Sequence, residues 1–191
     1  ITLRNLLLLF SVVCTLTAFA PVKSNFSAAE QQQISIATPK LFALSNTFNI
    51  ELGNLSANEY TFPLPVGKAI RQADNRLEIT STEGDAVKAM FAGTVRLARK
   101  HLEYGNVIVV RHQNGLETVY ANNAQNLVDV GDVVKAGQTI AIVGSHEGKT
   151  YLNFWVMVNG ARINPETILS LKSHKLHKQT LQCTKKDGGM V

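Results

Sequence analysis

Cysteine is nearly absent: Cys14 and Cys183 are the only two in 191 residues. Cys14 lies inside an apolar N-terminal run, so no internal disulfide framework is available to the part of the chain that follows it. Concentrated charge of one sign is missing from the middle. Residues 63–171 carry 11 Lys/Arg against 10 Asp/Glu, although the whole chain has a formal net charge of +5. The excess sits at the ends, in Arg4, Lys23 and Lys40 and in Lys172, Lys175, Lys178, Lys185 and Lys186. A globular nucleic-acid reader carries its basic patch on the folded part, so no nucleic acid is expected as partner. A helical period is also missing before Pro165. At this length the chain holds one domain with extensions rather than two full domains.

What is present begins with "ITLRNLLLLFSVVCTLTAFA". Arg4, an apolar run over 6–20 and the small-x-small ending Ala18-Phe19-Ala20 have the order of a secretory signal peptide over 1–20. Export to the periplasm or cell envelope is therefore expected. Residues 21–58 are rich in Gln, Ser and Asn and read as a linker, with one weak amphipathic element around "PKLFALSNTFNIEL". The folded domain is expected over 59–171, followed by a basic, disordered tail over 172–191. Inside the domain, "GTVRLARK", "NVIVVRH", "LETVYAN", "QTIAIVG" and "LNFWVMV" are short runs rich in β-branched and aromatic residues, separated by Gly and Asn clusters. Such runs at ~8–12-residue spacing predict an all-β antiparallel sandwich or barrel. The Asn114-Gly115 pair between two of them predicts a hairpin.

The ordered series "TEGDAVKAMFAGTVRLA", "YGNVIVVRHQNGLETVYANN", "VDVGDVVKAGQTIAIVG" and "YLNFWVMVNGARINPETIL" resembles the lysostaphin/LytM-type metallopeptidase domain over about 63–169. The resemblance implies a duplicated-hybrid-motif β-sandwich and a zinc site that cuts peptide cross-links in bacterial cell walls. In that family the metal is held by H-x-x-x-D and by the second His of H-x-H, while two further histidines assist the water. Here Asp74 and Glu78 stand in the first motif, Tyr151 and Asn153 in the second, and Asn122 follows Tyr120 where the remaining His belongs. The five histidines present, His101, His112, His146, His174 and His177, all lie elsewhere.

The chemistry of the replacements decides the expectation. A catalytic zinc needs three protein ligands and an open position for water. Losing the imidazoles removes the donors that favour zinc over hard cations, and neither Asn122 nor Tyr151 is a base near neutral pH. No zinc, and no other cofactor, is expected. Asp74, Glu78 and Asn153 form an all-oxygen trio better suited to Ca²⁺, against which stands pairing of the two carboxylates with Arg76 or Arg71. The replacements are polar and would line one cleft: Asp74, Glu78, Asn122, Tyr151 and Asn153. Degenerate LytM domains of the EnvC type act without zinc by binding cell-wall amidases. The resemblance therefore implies a non-enzymatic module that binds peptidoglycan or a cell-wall hydrolase through its former active-site cleft. An endopeptidase with an atypical site and a structural envelope protein are the alternatives.

Overall fold

The structure is a computed structural model that describes residues 25–186 and 189–190; the expected signal peptide lies outside the described residues. Ten strands form one antiparallel sheet: β2 (Lys68–Arg71), β3 (Leu77–Thr80), β4 (Ala86–Lys88), β5 (Gly93–His101), β6 (Gly105–Arg111), β7 (Leu116–Asn126), β8 (Val133–Val134), β9 (Thr139–His146), β10 (Lys149–Val158) and β11 (Ala161–Ile163), in the order β2-β3-β10-β9-β7-β6-β5-β8 with β4 on β9 and β11 on β10 off that path. A smaller sheet joins β1 (Thr47–Glu51), β12 (Thr180–Lys186) and β13 (Gly189–Met190). The all-β antiparallel expectation holds, and the five quoted runs are β5, β6, β7, β9 and β10. Asn114 and Gly115 both have positive φ, 44° and 71°, which is the type I′ geometry that a two-residue hairpin favours.

The large sheet splits where β9 enters it. The second half of β10 pairs with the first half of β7, Asn153 to Val158 against Ala121 to Leu116. The first half of β10 pairs instead with β9, and β9 also takes the far half of β7. A Cβ on Gly144 of β9 would stand 2.2 Å from the Asn122 carbonyl oxygen, so only glycine admits the approach that closes the wedge.

Alternation sends side chains to opposite faces of the sheet. Phe154, Val156, Tyr120, Ile108 and Val110 enter the main core. Leu97, Val107, Val109, Val119, Ala121, Trp155 and Met157 form a second, fully buried layer on the other face. That second layer needs a cover, and the N-terminal segment supplies it. Ile34 packs on the layer, just beyond the one-turn helix α1 (Ala28–Gln32), whose start is fixed by a capping box between Ser27 and Glu30.

Two terminal segments are more ordered than expected, although β1 falls inside the weak element expected around "PKLFALSNTFNIEL". The linker expected over 21–58 contains α1 and β1, and the disordered tail expected over 172–191 contains β12. Leu181 and Cys183 alternate inward onto the core beside Phe48. Two apolar residues among lysines are too weak a pattern to signal a strand, but registration against β1 gives them a place to pack. The α1 signal was present as Ser27-x-x-Glu30; a single turn is too short to show a period.

Candidate functional site

The resemblance predicts that Tyr151 and Asn153 share a cleft, and β10 places them on the face opposite the main core, in line with Trp155 and Met157. Asn153 lies opposite Glu78 on one side and Ala121 on the other. Directly opposed residues bring their Cβ atoms to about 5 Å, so Glu78, Asn153 and Ala121 form a row across three strands. Tyr151 stands one step along, opposite Thr80 and Gly144.

Four of the five substituted positions make a definite polar or ring contact. Asp74, in the turn between β2 and β3, receives Arg162 Nη1 at 2.6 Å, the Arg76 backbone N–H at 3.3 Å, and Arg76 Nε at 3.8 Å. Partial burial pushes its pKa up, but the backbone hydrogen bond and the charges of Arg76 and Arg162 outweigh it and leave the carboxyl below its ordinary value. Glu78 is paired with Lys149 Nζ, which also lies 5.6 Å from the centre of the Tyr151 ring. Arg162 stacks 4.4 Å over Trp155 and reaches Tyr104 Oη at 3.4 Å. Asn122 has φ 64°, a left-handed conformation that Asn tolerates better than most residues. Its amide donates to the carbonyls of Tyr151 at 2.7 Å and Gly144 at 3.3 Å. Asn122 thus stitches the point where β7, β9 and β10 diverge. Asn153 is only 8% exposed, yet its amide has no hydrogen-bond partner among the described residues.

These residues do not suit a zinc ion. Among the described residues no three His, Cys, Asp or Glu side chains are gathered at metal-binding distance. The two carboxylates in former ligand positions are held by cations, Asp74 by Arg162 and Glu78 by Lys149. The same pairings take both carboxylates from the all-oxygen trio, and Asp74 selects Arg162 and Arg76, whereas Arg71 pairs with Glu166.

The histidines have other roles. His112 donates from Nδ1 to the Ala92 carbonyl at 2.7 Å and keeps Nε2 2.7 Å from Thr118 Oγ1. Thr118 Oγ1 lies 2.9 Å from Tyr120 Oη, which accepts the Met90 N–H at 2.7 Å. Burial holds the His112 pKa down to about 4, against which the hydrogen bond to Ala92 acts. The ring is therefore neutral with its proton on Nδ1, and the chain of bonds ties β6 and β7 to the segment before β5. His146, the last residue of β9, has a side chain 66% exposed. His174 stacks on Phe62 at 3.8 Å, and His101 stacks on Tyr104 at 5.1 Å.

Beside the row runs the covering segment. Thr38 N–H donates to Asn159 Oδ1 at 2.7 Å, and Ser35 Oγ donates to the Gly160 carbonyl. Ile34, Tyr104, Trp155 and Arg162 line a cleft of ≈ 520 Å³ between this segment and β11. Sequence reasoning did not find Arg162, Lys149 or the covering segment. The cations sit outside the family's ligand motifs, and the segment carries only the capping box as a signal.

Comparison with known proteins places these features. Residues 73–165 match peptidase family M23. Over 90 residues the chain is 42% identical to the murein hydrolase activator EnvC of Escherichia coli (strain K12), covering 46% of this chain and 22% of EnvC. Over 91 residues it is 36% identical to the murein hydrolase activator NlpD of the same organism, covering 47% of this chain and 24% of NlpD. The chain thus spans a quarter or less of these curated relatives. A crystal structure of a putative peptidase M23 from Pseudomonas aeruginosa superposes with a TM-score of 0.53 at 21% identity, over 65% of this chain and 54% of that one. This last likeness is one of fold.

Proposed function

From the match of residues 73–165 to peptidase family M23, we propose that this chain is a non-catalytic binding module of the bacterial cell envelope that engages a cell-wall hydrolase through its former active-site cleft. The observation that carries the reading is the fate of the former ligand positions. Asp74 and Glu78 are neutralised by Arg162 and Lys149, while Tyr151 and Asn153 offer neither a metal ligand of the right kind nor a general base. Similarity to two proteins named as murein hydrolase activators supports the same reading.

Two side chains on this face of β10 support the reading. Tyr151 is half-buried with its ring beside Lys149, and a tyrosine couples apolar contact area to a polar tip. Asn153 holds an unpaired amide able to read a peptide backbone, which presents both a donor and an acceptor.

The test uses the full chain with a purified cell-wall amidase and dye-labelled peptidoglycan. The chain alone, with or without added zinc, is expected to release no dye, and with the amidase to raise release. Tyr151→Ala should weaken that stimulation by ~2 kcal/mol or more in apparent affinity, with a melting temperature close to that of the parent. Chelator-sensitive release by the chain alone would instead establish the endopeptidase reading.

A further inference from the structure

The cations in the cleft are paired; those of the C-terminal segment are not. No Asp or Glu occurs between Glu166 and Asp187, while Lys172, Lys175, Lys178, Lys185 and Lys186 fall in that interval. All five are exposed, and none makes an ion pair or a side-chain hydrogen bond among the described residues.

These lysines are not on a free tail. The Leu169–Leu176 bridge, the His177 N–H bond to the Ile168 carbonyl at 2.7 Å and the Ser170 N–H bond to the Lys175 carbonyl at 2.9 Å fold the segment back on the domain. Tyr60 Oη donates to the His174 carbonyl at 2.8 Å. β12 then runs antiparallel to β1, with Lys178 just before it and Lys185 and Lys186 at its far end. The exposed side chains between are short and almost all uncharged: Thr180, Gln182 and Thr184 on β12, Thr47 and Asn49 on β1. Glu51, the one acid there, accepts from Thr180 Oγ1 at 2.6 Å. Lys68 of β2 adds a sixth cation, lining one shallow cleft with Lys172 and His174.

We propose that this face, β12 with the turns before it, is an electrostatic docking surface for the anionic headgroups of a lipid bilayer. A bilayer presents a plane of phosphates that fixed, unpaired lysines on short-side-chain strands can approach together. The signal peptide expected over 1–20 carries the folded domain across a membrane, which leaves a bilayer surface beside these lysines. The inference stands apart from the cleft's role, since no cleft residue takes part.

The experiment is an amine-acetylation footprint of the full chain, read by mass spectrometry, on phosphatidylcholine vesicles with and without one third phosphatidylglycerol. Acetylation of Lys172, Lys175, Lys178 and Lys186, which shares the outward side of β12 with Thr180, Gln182 and Thr184, should slow several-fold on the anionic vesicles alone, with exposed Lys135 as the unprotected reference. The protection should vanish as salt rises from 0.1 M to 1 M, shortening the screening length from about 10 Å to about 3 Å. Each lysine near an anionic surface contributes roughly a fivefold factor in partition. The triple variant Lys172→Ser, Lys175→Ser, Lys178→Ser should therefore lose about a hundredfold, at unchanged circular dichroism. Equal protection on neutral vesicles, protection indifferent to salt, or none on either vesicle would overturn the proposal. So would equal or stronger protection by duplex DNA or by peptidoglycan sacculi, which would assign the face to that polymer instead.

Discussion

Asp74, Glu78 and His112 show how single side chains in this domain are settled by their neighbours rather than by their type. The two carboxylates have the chemistry of metal ligands but face guanidinium and ammonium groups, which removes the vacancy a cation would fill. His112 has the chemistry of a base or ligand, yet its nitrogens are taken by Ala92 and Thr118. Its folded pKa of about 4 lies below the ordinary 6.5. The unfolded chain therefore binds the extra proton first, and stability falls as pH drops from about 6.5 to about 4. Allowing for the ring edge that water reaches, the loss should be about 2 kcal/mol. Asp74 and Glu30, whose pKa values are lowered, act with the same sign but only below their unfolded values, near pH 4. Melting-temperature profiles of the parent and His112→Gln separate the two windows. The variant should lose the decline between pH 6.5 and 4 and keep the steeper one beneath it.

At the scale of elements, the covering segment is held mainly by one residue. Arg96 is fully buried and uses all five N–H groups. Nε and Nη2 bond the Glu117 carboxylate at 2.6 Å and 3.1 Å, Nη1 bonds the carbonyls of Glu30 and Gln33, and Nη2 bonds that of Ile34 at 2.7 Å. Lysine, with three donors on one point, cannot reproduce this. Arg111 extends the network, bonding Glu117 at 2.8 Å and Glu30 at 2.6 Å. Removing one partner of a buried pair costs about 3–5 kcal/mol because the other charge is left uncompensated. Arg96→Met should therefore lower stability by about that amount, and Arg96→Lys should recover little of it. Amide exchange should speed up across 27–36 in particular, since those carbonyls lose their anchor. Uniform exchange across the sheet, with 27–36 still protected, would show that the segment is held by Ile34 and its neighbours instead.

For the whole molecule, the sheet was legible and its closure was not. β6, β7, β9 and β10 announced themselves because each carries enough β-branched residues in alternation to signal a strand locally, and Asn114-Gly115 fixed the hairpin between two of them. The row Glu78–Asn153 followed from motif positions that a resemblance could carry. The cations on the cleft, the stitch by Asn122 and the cover over Trp155 were hidden for one physical reason. Each depends on a partner far away in sequence, as with Asp74 and Arg162 or Ile34 and Met157, and no local period encodes such a meeting. β12 was missed because its strand character comes from pairing with β1, 129 residues away at Glu51–Thr180.

That non-local closure bears on which segment folds. The interval 59–171 holds every strand of the large sheet but omits β1, β12 and the covering segment. Without them Ile50 and Leu52, both fully buried, are lost from the core, at about 1.5–3 kcal/mol each. The second layer of Leu97, Val107, Val109, Val119, Ala121, Trp155 and Met157 then loses its cover, and Arg96 loses three carbonyl partners. The combined loss rivals the 5–15 kcal/mol that typically holds a domain together. A fragment of 59–171 should accordingly show a broad, early melt, a red-shifted emission from Trp155, the sole tryptophan, and binding of a hydrophobic dye. A fragment of 25–191 should melt sharply and exclude the dye. Were the shorter fragment to melt as sharply and at the same temperature, β1, β12 and the covering segment would be dispensable additions, and the seven-residue face would be stable in contact with water.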